Sequence, residues 1–251
     1  MQKVISNFIE YLQSGKTSSK NTLMSYERDL NKVSAFFASK GITDVKALSS
    51  KDLEDYIESL RNAGMSPATI SRNIASLKAF NHFLLAKSVT DKDIAGKLHA
   101  PKIEKKAPVI LTSKELNLLL EQPSGDSDKE IRDKAMLELL CATGIRVSEL
   151  ITIKLPDLNL KDSQITISEF GKKRVIPFGS KAKASLSRYL DEVRNKMIAE
   201  SDEEYLFVNC SGETMSRQGF WKIIKLYAKR AGIKAEITPR TLRNSFKAQS
   251  L

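Results

Sequence analysis

Three arginines, a glutamate and two lysines stand at spacings that suit work on a phosphate. Arg146 and Glu149 lie three residues apart in CATGIRVSELITI, residues 141–153, where a glycine ends one helix and an arginine begins the next. That spacing puts both side chains on one helical face. An arginine so placed can aim its planar fork at a phosphate while the glutamate holds it. An ordinary exposed ion pair is the competing reading of the same two residues. Lys172 and Lys173 stand at a tight turn in FGKKRVIPF. A lysine at a hairpin tip can enter a DNA groove or touch a phosphate, and a solvated charged turn is the alternative. Arg240 and Arg243 are three apart in TPRTLRNSF, residues 238–246. Two cations on one helical face repel each other, which is easier to explain if an anion sits between them.

Periodicity gives the elements that must position these side chains. DKEIRDKAMLELLCATG reads as a helix ending at Gly144, and RVSELITI opens another. QITISEF and KRVIPFG read as two short strands joined at Gly171-Lys172, with EEYLFVN as a third strand. KAKASLSRYLDEVRNKMI is an amphipathic helix, GFWKIIKLYAKRAGI is a helix stopped by Gly232, and Pro239 opens a last one. The N-terminal half is helical throughout. Leu23, Tyr26, Leu30, Val33 and Phe37 form one stripe closed by Gly41, and Leu53, Tyr56, Ile57 and Leu60 form a second closed by Gly64. Ser66-Pro67 starts a third helix, with Ile70, Ile74, Leu77 and Leu84 inward. With the N-terminal segment these make about four helices, a small bundle. PKIEKKAPVI has two prolines and three lysines without periodicity and reads as a basic linker. Thr112 and Glu115 then supply a capping-box pattern. The expected organisation is therefore a helical domain over 1–100, a linker over 101–110 and a mixed domain over 111–251. The fold class is mainly α with a small antiparallel sheet.

Composition narrows the partners. The chain of 251 residues has a formal net charge of +11, which fits a polyanion such as nucleic acid. Cys141 and Cys210 both sit in apolar stretches and read as buried thiols of a reducing cytosol rather than a disulfide. The two histidines, His82 and His99, give no metal-ligand spacing, so no metal is expected. No signal peptide and no membrane-spanning run is visible.

Taken together, the motifs resemble those of the tyrosine recombinases, the Xer-like site-specific recombinases best. That family shows T-G-x-R-x-S-E-L, and this chain reads Thr143-Gly144-Ile145-Arg146-Val147-Ser148-Glu149-Leu150. Its basic hairpin corresponds to Gly171-Lys172-Lys173-Arg174-Val175-Ile176-Pro177, and its T-P-H-x-L-R-H-S-F to Thr238-Pro239-Arg240-Thr241-Leu242-Arg243-Asn244-Ser245-Phe246. NTLMSYERDLNKVSAFF and SPATISRNIASLKAFNHFLL look like the family's helical core-binding domain.

The resemblance implies two domains that clamp duplex DNA, with strands broken and rejoined through a 3′-phosphotyrosine in a tetrameric synapse, without metal or cofactor. It implies that Arg146 and Arg243 grip the scissile phosphate and that Lys172 protonates the leaving 5′ oxygen, with Lys173 a weaker claimant. Glu149 would orient the site. It implies DNA contacts in the first domain from Lys20, Thr22, Arg28, Arg72 and Asn73, with Lys173 adding one from the hairpin. A cytoplasmic, nucleoid-associated bacterial protein is the matching location. Two departures stand out. Arg240 occupies the slot of a histidine or lysine and stays protonated, so it can bind phosphate but not exchange a proton near neutrality. Asn244 replaces a second histidine. The family's nucleophilic tyrosine is expected beyond residue 251, so the catalytic domain is expected to be truncated and this chain inactive for cleavage. Tyr227 precedes the second arginine motif and reads as core. The alternative is a DNA-binding paralogue that never cleaves.

Overall fold

A computed structural model describes residues 1–15, 19–103, 109–169, 172–198 and 204–249. The chain divides into two units, Met1–Lys105 and Lys106–Leu251. The division falls within the stretch expected as a linker, of which residues 104–108 lie outside the described residues, as does Gly171 of the expected turn. Both units are mostly helical, and the second carries a small antiparallel sheet. No described helix is long and apolar enough to cross a membrane.

The first unit is built from α1 (Gln2–Ser14), α2 (Lys20–Ala38), α3 (Ser50–Asn62) and α4 (Pro67–Ala86). Serines open three of them. Ser19 and Ser66 accept the N–H of Thr22 and Thr69, and Ser49 forms a reciprocal capping box with Asp52. The expected stripes turn inward: Leu30, Val33 and Phe37 meet Leu53, Tyr56 and Ile57 from α3 and Ile74, Leu77 and Leu84 from α4. Phe8 of α1 lies among the rings of Tyr26, Phe80 and Phe83.

The second unit runs α5 (Ser113–Glu121), α6 (Asp128–Thr143), α7 (Val147–Leu150), β1 (Leu158–Asn159), β2 (Gln164–Glu169), β3 (Lys172–Pro177), α8 (Ser180–Arg188), α9 (Asn195–Ile198), α10 (Arg217–Arg230) and α11 (Pro239–Gln249). A single π turn, Tyr189–Arg194, joins α8 to α9 and buries Tyr189, Val193 and Arg194. The sheet order is β1-β2-β3, antiparallel throughout, with Ile165 opposite Ile176 and Glu169 opposite Lys172. Ile165 and Ile167 point into a core shared with α6, Phe207, Phe220 and Tyr227.

The expected third strand at EEYLFVN is a correction. The segment makes only isolated bridges, Lys154 with Tyr205 and Val208 with Thr214, and the third strand is Leu158–Asn159. Leu206, Phe207 and Val208 are buried in succession, so no face alternates outward. Arginines take some of its carbonyls: Arg194 Nη2 donates to Tyr205 O at 2.7 Å and Arg132 Nη1 to Val208 O at 3.2 Å, while Glu204 O accepts the Leu155 N–H. The reading of two buried thiols is also corrected. Both cysteines are free, Cys141 is half-buried and Cys210 is exposed. Burial, with help from Glu138, pushes the Cys141 thiol up to about 12.

Candidate functional site

Gly144 creates the turn that presents Arg146. It caps α6 at φ 57°, in the left-handed region that a side chain disfavours, and its N–H bonds Leu140 O. The chain then reverses, and Arg146 becomes the extended N-cap of α7. Glu149, at the third position of that helix, reaches back so that its Oε2 accepts the Arg146 backbone N–H at 2.6 Å. Its other oxygen, Oε1, accepts Arg146 Nη1 at 3.0 Å and Arg174 Nη2 at 2.6 Å. The Glu149 side chain is only 10% exposed, whereas those of Arg146 and Arg174 are 46% and 40% exposed. Burial pushes the Glu149 carboxyl up. The Arg146 N–H, the Arg174 guanidinium and the two charges outweigh burial and hold it below its ordinary range. The cluster therefore contains a firm carboxylate between two guanidinium groups.

Arg174 lies on β3, and strand alternation puts Lys172 on the same face two residues earlier. Lys172 and Lys173 are both exposed at the start of that strand. α11 supplies the second arginine motif. Thr238 caps it by accepting the Thr241 N–H, Leu242 and Phe246 are buried, and Ser245 Oγ accepts the Leu111 N–H at 2.8 Å. Arg240 is exposed, and Arg243 and Asn244 are half-buried. Among the described residues neither Arg240 nor Arg243 pairs with a carboxylate, and neither bonds the Arg146 cluster. The structure thus joins Arg146 and Glu149 as the sequence suggested and adds Arg174. α11, which carries Arg240 and Arg243, packs on α6, the helix leading to Arg146. Tyr227 is core, as read, and its hydroxyl donates to the buried Asp133 Oδ2 at 3.1 Å.

In the first unit, Lys20 and Arg28 are exposed, and Thr22 is half-buried with its hydroxyl against that of Ser19. Arg72 is half-exposed but engaged: its Nη1 sits 2.6 Å from each oxygen of the fully buried Asp29. Asn73 is a correction. It is 2% exposed, its Oδ1 accepts the Tyr56 hydroxyl and its Nδ2 donates to Thr69 O, so its amide serves the interior. A polar residue beside Ile74 reads as surface until a buried hydroxyl is placed opposite it.

Sequence reasoning missed the outer face of α10. Arg217, Trp221, Lys222, Lys225, Lys229 and Arg230 are all exposed there, and Lys225 Nζ lies 4.0 Å above the Trp221 ring. The signal was the spacing of Lys222, Lys225 and Lys229 opposite Phe220, Ile224 and Tyr227. A basic helical face with an aromatic in it suits a phosphate backbone.

The phage integrase family profile matches residues 110–250, and the profile of the phage integrase N-terminal SAM-like domain matches residues 5–88. The chain is 39% identical over 249 residues to tyrosine recombinase XerD of Oceanobacillus iheyensis, covering 98% of this chain and 84% of that one. It is 38% identical over 249 residues to tyrosine recombinase XerD of Listeria innocua, with the same coverage of 98% and 84%. The crystal structure of the XerH site-specific recombinase bound to its difH substrate superposes at a TM-score of 0.76 and 18% identity, covering 98% of this chain and 84% of that one. A lambda integrase tetramer bound to a Holliday junction gives a TM-score of 0.72 at 17% identity, covering 98% and 71%. At those identities the two structures speak to the fold.

Proposed function

This chain belongs to the phage integrase family, the tyrosine recombinases, and on that premise we propose that it binds duplex DNA and seats a backbone phosphate on Arg146 and Arg243. The observation that carries the reading is Glu149, which is nearly buried and fixes Arg146 through both its backbone N–H and its guanidinium, with the Arg146 side chain 46% exposed. A guanidinium held that way is preorganised for charge that grows on phosphate oxygens in an in-line displacement. In the family reaction a tyrosine oxygen bonds phosphorus as the bond to the 5′ oxygen breaks. Lys172 is the proton donor we assign to that leaving oxygen, with Glu149 as a positioning residue. Arg240 adds positive charge but no usable proton exchange. Lys20, Thr22 and Arg28 of the first unit, Lys173 of the hairpin and the basic face of α10 make the remaining DNA contacts.

Salt titration of binding to a labelled duplex tests this. The logarithm of the affinity falls linearly with that of salt. Arg146→Ala and Arg243→Ala each remove a charge-assisted contact worth roughly 1.5–3 kcal/mol. Affinities that neither substitution moves reject the assignment. Arg240 and Asn244, in slots where the resembled motif has histidines, favour a second reading, a recombinase relative that binds DNA without cutting it. Arg240→His, made in a fusion to a tyrosine-bearing C-terminal segment, distinguishes the two if a cleavage assay responds. Assembly follows the lambda integrase tetramer in this proposal, with four subunits on a DNA junction in a bacterial cytoplasm.

A further inference from the structure

We propose that Arg72 reads a guanine in the major groove through its Nε and Nη2 donors, with Asp29 as the positioning residue that aims it; this rests on the reading of the chain as a duplex-binding protein. The Arg72 guanidinium touches Asp29 through one nitrogen, Nη1, which lies 2.6 Å from both Oδ1 and Oδ2. Asp29 is fully buried, and Ser76 Oγ donates to its Oδ2 at 3.0 Å, so the carboxylate is itself fixed. Among the described residues, Nε and Nη2 of Arg72 have no protein partner. Those two nitrogens form the second edge of a rigid planar fork, and 35% of the side chain is exposed.

Charge separates a base reader from a phosphate contact. Arg72 and Asp29 together are neutral, so the pair offers a pattern of donors and little net attraction for a phosphate. Two parallel donors match O6 and N7 of guanine, acceptors that lie side by side in the major groove. The surface around Arg72 points the same way. Ala68, Ala75 and Ala79 recur with it at helical spacing and form one stripe along α4. Ala68 and Ala75 are exposed, and Ala79 is half-buried. Arg72 is thus the long side chain on a stripe otherwise made of methyl groups, and such a face lies close to base edges in a groove about 12 Å wide. Phosphates repeat along the backbone and are met by exposed cations, such as Lys20 and Arg28 of α2.

Selection of bound duplexes from a randomised pool by the full chain, followed by anisotropy titrations of single-position variants, tests this. The parent is expected to prefer guanine at one position by roughly 5–150-fold. Arg72→Lys places its single nitrogen on Asp29 and has no second edge. Its preference at that position is expected to fall below about twofold, with the other positions and the salt slope unchanged. Thermal melts check folding. Should Arg72→Lys fold poorly, Asp29→Asn combined with Arg72→Met removes both charges of the buried pair at once, which spares the fold the cost of a stranded carboxylate. The same single position is then expected to lose its preference. An Arg72→Lys variant with the parent's preferences overturns the inference. So does an even loss across all sequences with a salt slope lower by about 1, which makes Arg72 a phosphate contact. A parent that binds duplex without enriching guanine at any position also overturns it, and leaves the duplex-binding reading standing. A parent that binds no duplex overturns that reading, and the inference with it.

Discussion

Arg72 reaches from α4 to α2 to place one guanidinium nitrogen 2.6 Å from each carboxylate oxygen of Asp29, whose side chain is fully buried. Ser76 Oγ donates a third bond to the same carboxylate at 3.0 Å. The sequence placed Arg72 on a DNA-facing surface, and the structure gives it a structural duty as well.

Arg72→Ala is accordingly expected to destabilise the protein by about 3 kcal/mol, because it strands a buried carboxylate without its cation. That is the low end of the roughly 3–5 kcal/mol lost when a buried pair is broken, because 35% of the Arg72 side chain is exposed. Urea denaturation of parent and variant measures it. A variant as stable as the parent reduces Asp29–Arg72 to a surface pair. Arg72→Lys, which keeps the charge, is the variant suited to testing a DNA contact.

The features legible in the sequence were local ones. The stripes of α2, α3 and α4 repeat every three or four residues, and their caps are adjacent serines, so neighbouring positions define them. Arg146 and Glu149 are one helical turn apart and were legible for the same reason. Asp29 pairs with Arg72 across 43 residues, Glu149 with Arg174 across 25, and Tyr56 with Asn73 across 17. No periodicity links such positions, because each pairing exists only once two elements have packed. The mistaken third strand had a related cause. Leu206, Phe207 and Val208 form an apolar run that suits a strand, but its backbone pairing is limited to isolated bridges, and arginine side chains take the carbonyls of Tyr205 and Val208.

The outer face of α10 yields a prediction in salt. Lys225→Ala and Lys229→Ala are each expected to weaken duplex binding evenly across sequences and to lower the salt slope by about 1. Both side chains are exposed, so little stability is at stake. Slopes equal to that of the parent in both variants remove α10 from the DNA surface.

Glu149 gives a prediction in pH. Its folded-state pKa lies below the ordinary value of 4.5, although burial works the other way, because Arg146 and Arg174 favour the charged form. A carboxyl depressed on folding contributes stability above its unfolded pKa and loses it as pH falls through the folded value. Stability from this residue is thus constant near neutrality and declines below about pH 4.5. Thermal melts of the parent and of Glu149→Gln should differ most above that pH and converge in stronger acid. A difference that stays constant down the whole range means the carboxyl is not the titrating group.

The last prediction concerns covalent chemistry: this polypeptide of 251 residues forms no adduct with a suicide duplex nicked near a recombination site. Attack on phosphorus needs a tyrosine oxygen in line with the leaving 5′ oxygen, close to Arg146. Tyr189 and Tyr227 are both buried in the second unit's core. The Tyr227 hydroxyl is committed to Asp133, and burial together with the nearby Asp133 carboxylate pushes its ionisation far above the ordinary range, so it yields no phenolate near neutrality. Tyr227→Phe is therefore expected to cost about 1–2 kcal/mol of stability, through the bond lost at Asp133, without altering a denaturing gel of the DNA reaction. A shifted band that this substitution abolishes shows Tyr227 to be a nucleophile and overturns its place in the core. A shifted band that survives it points to another of the six tyrosines, and mapping the linked peptide identifies which one.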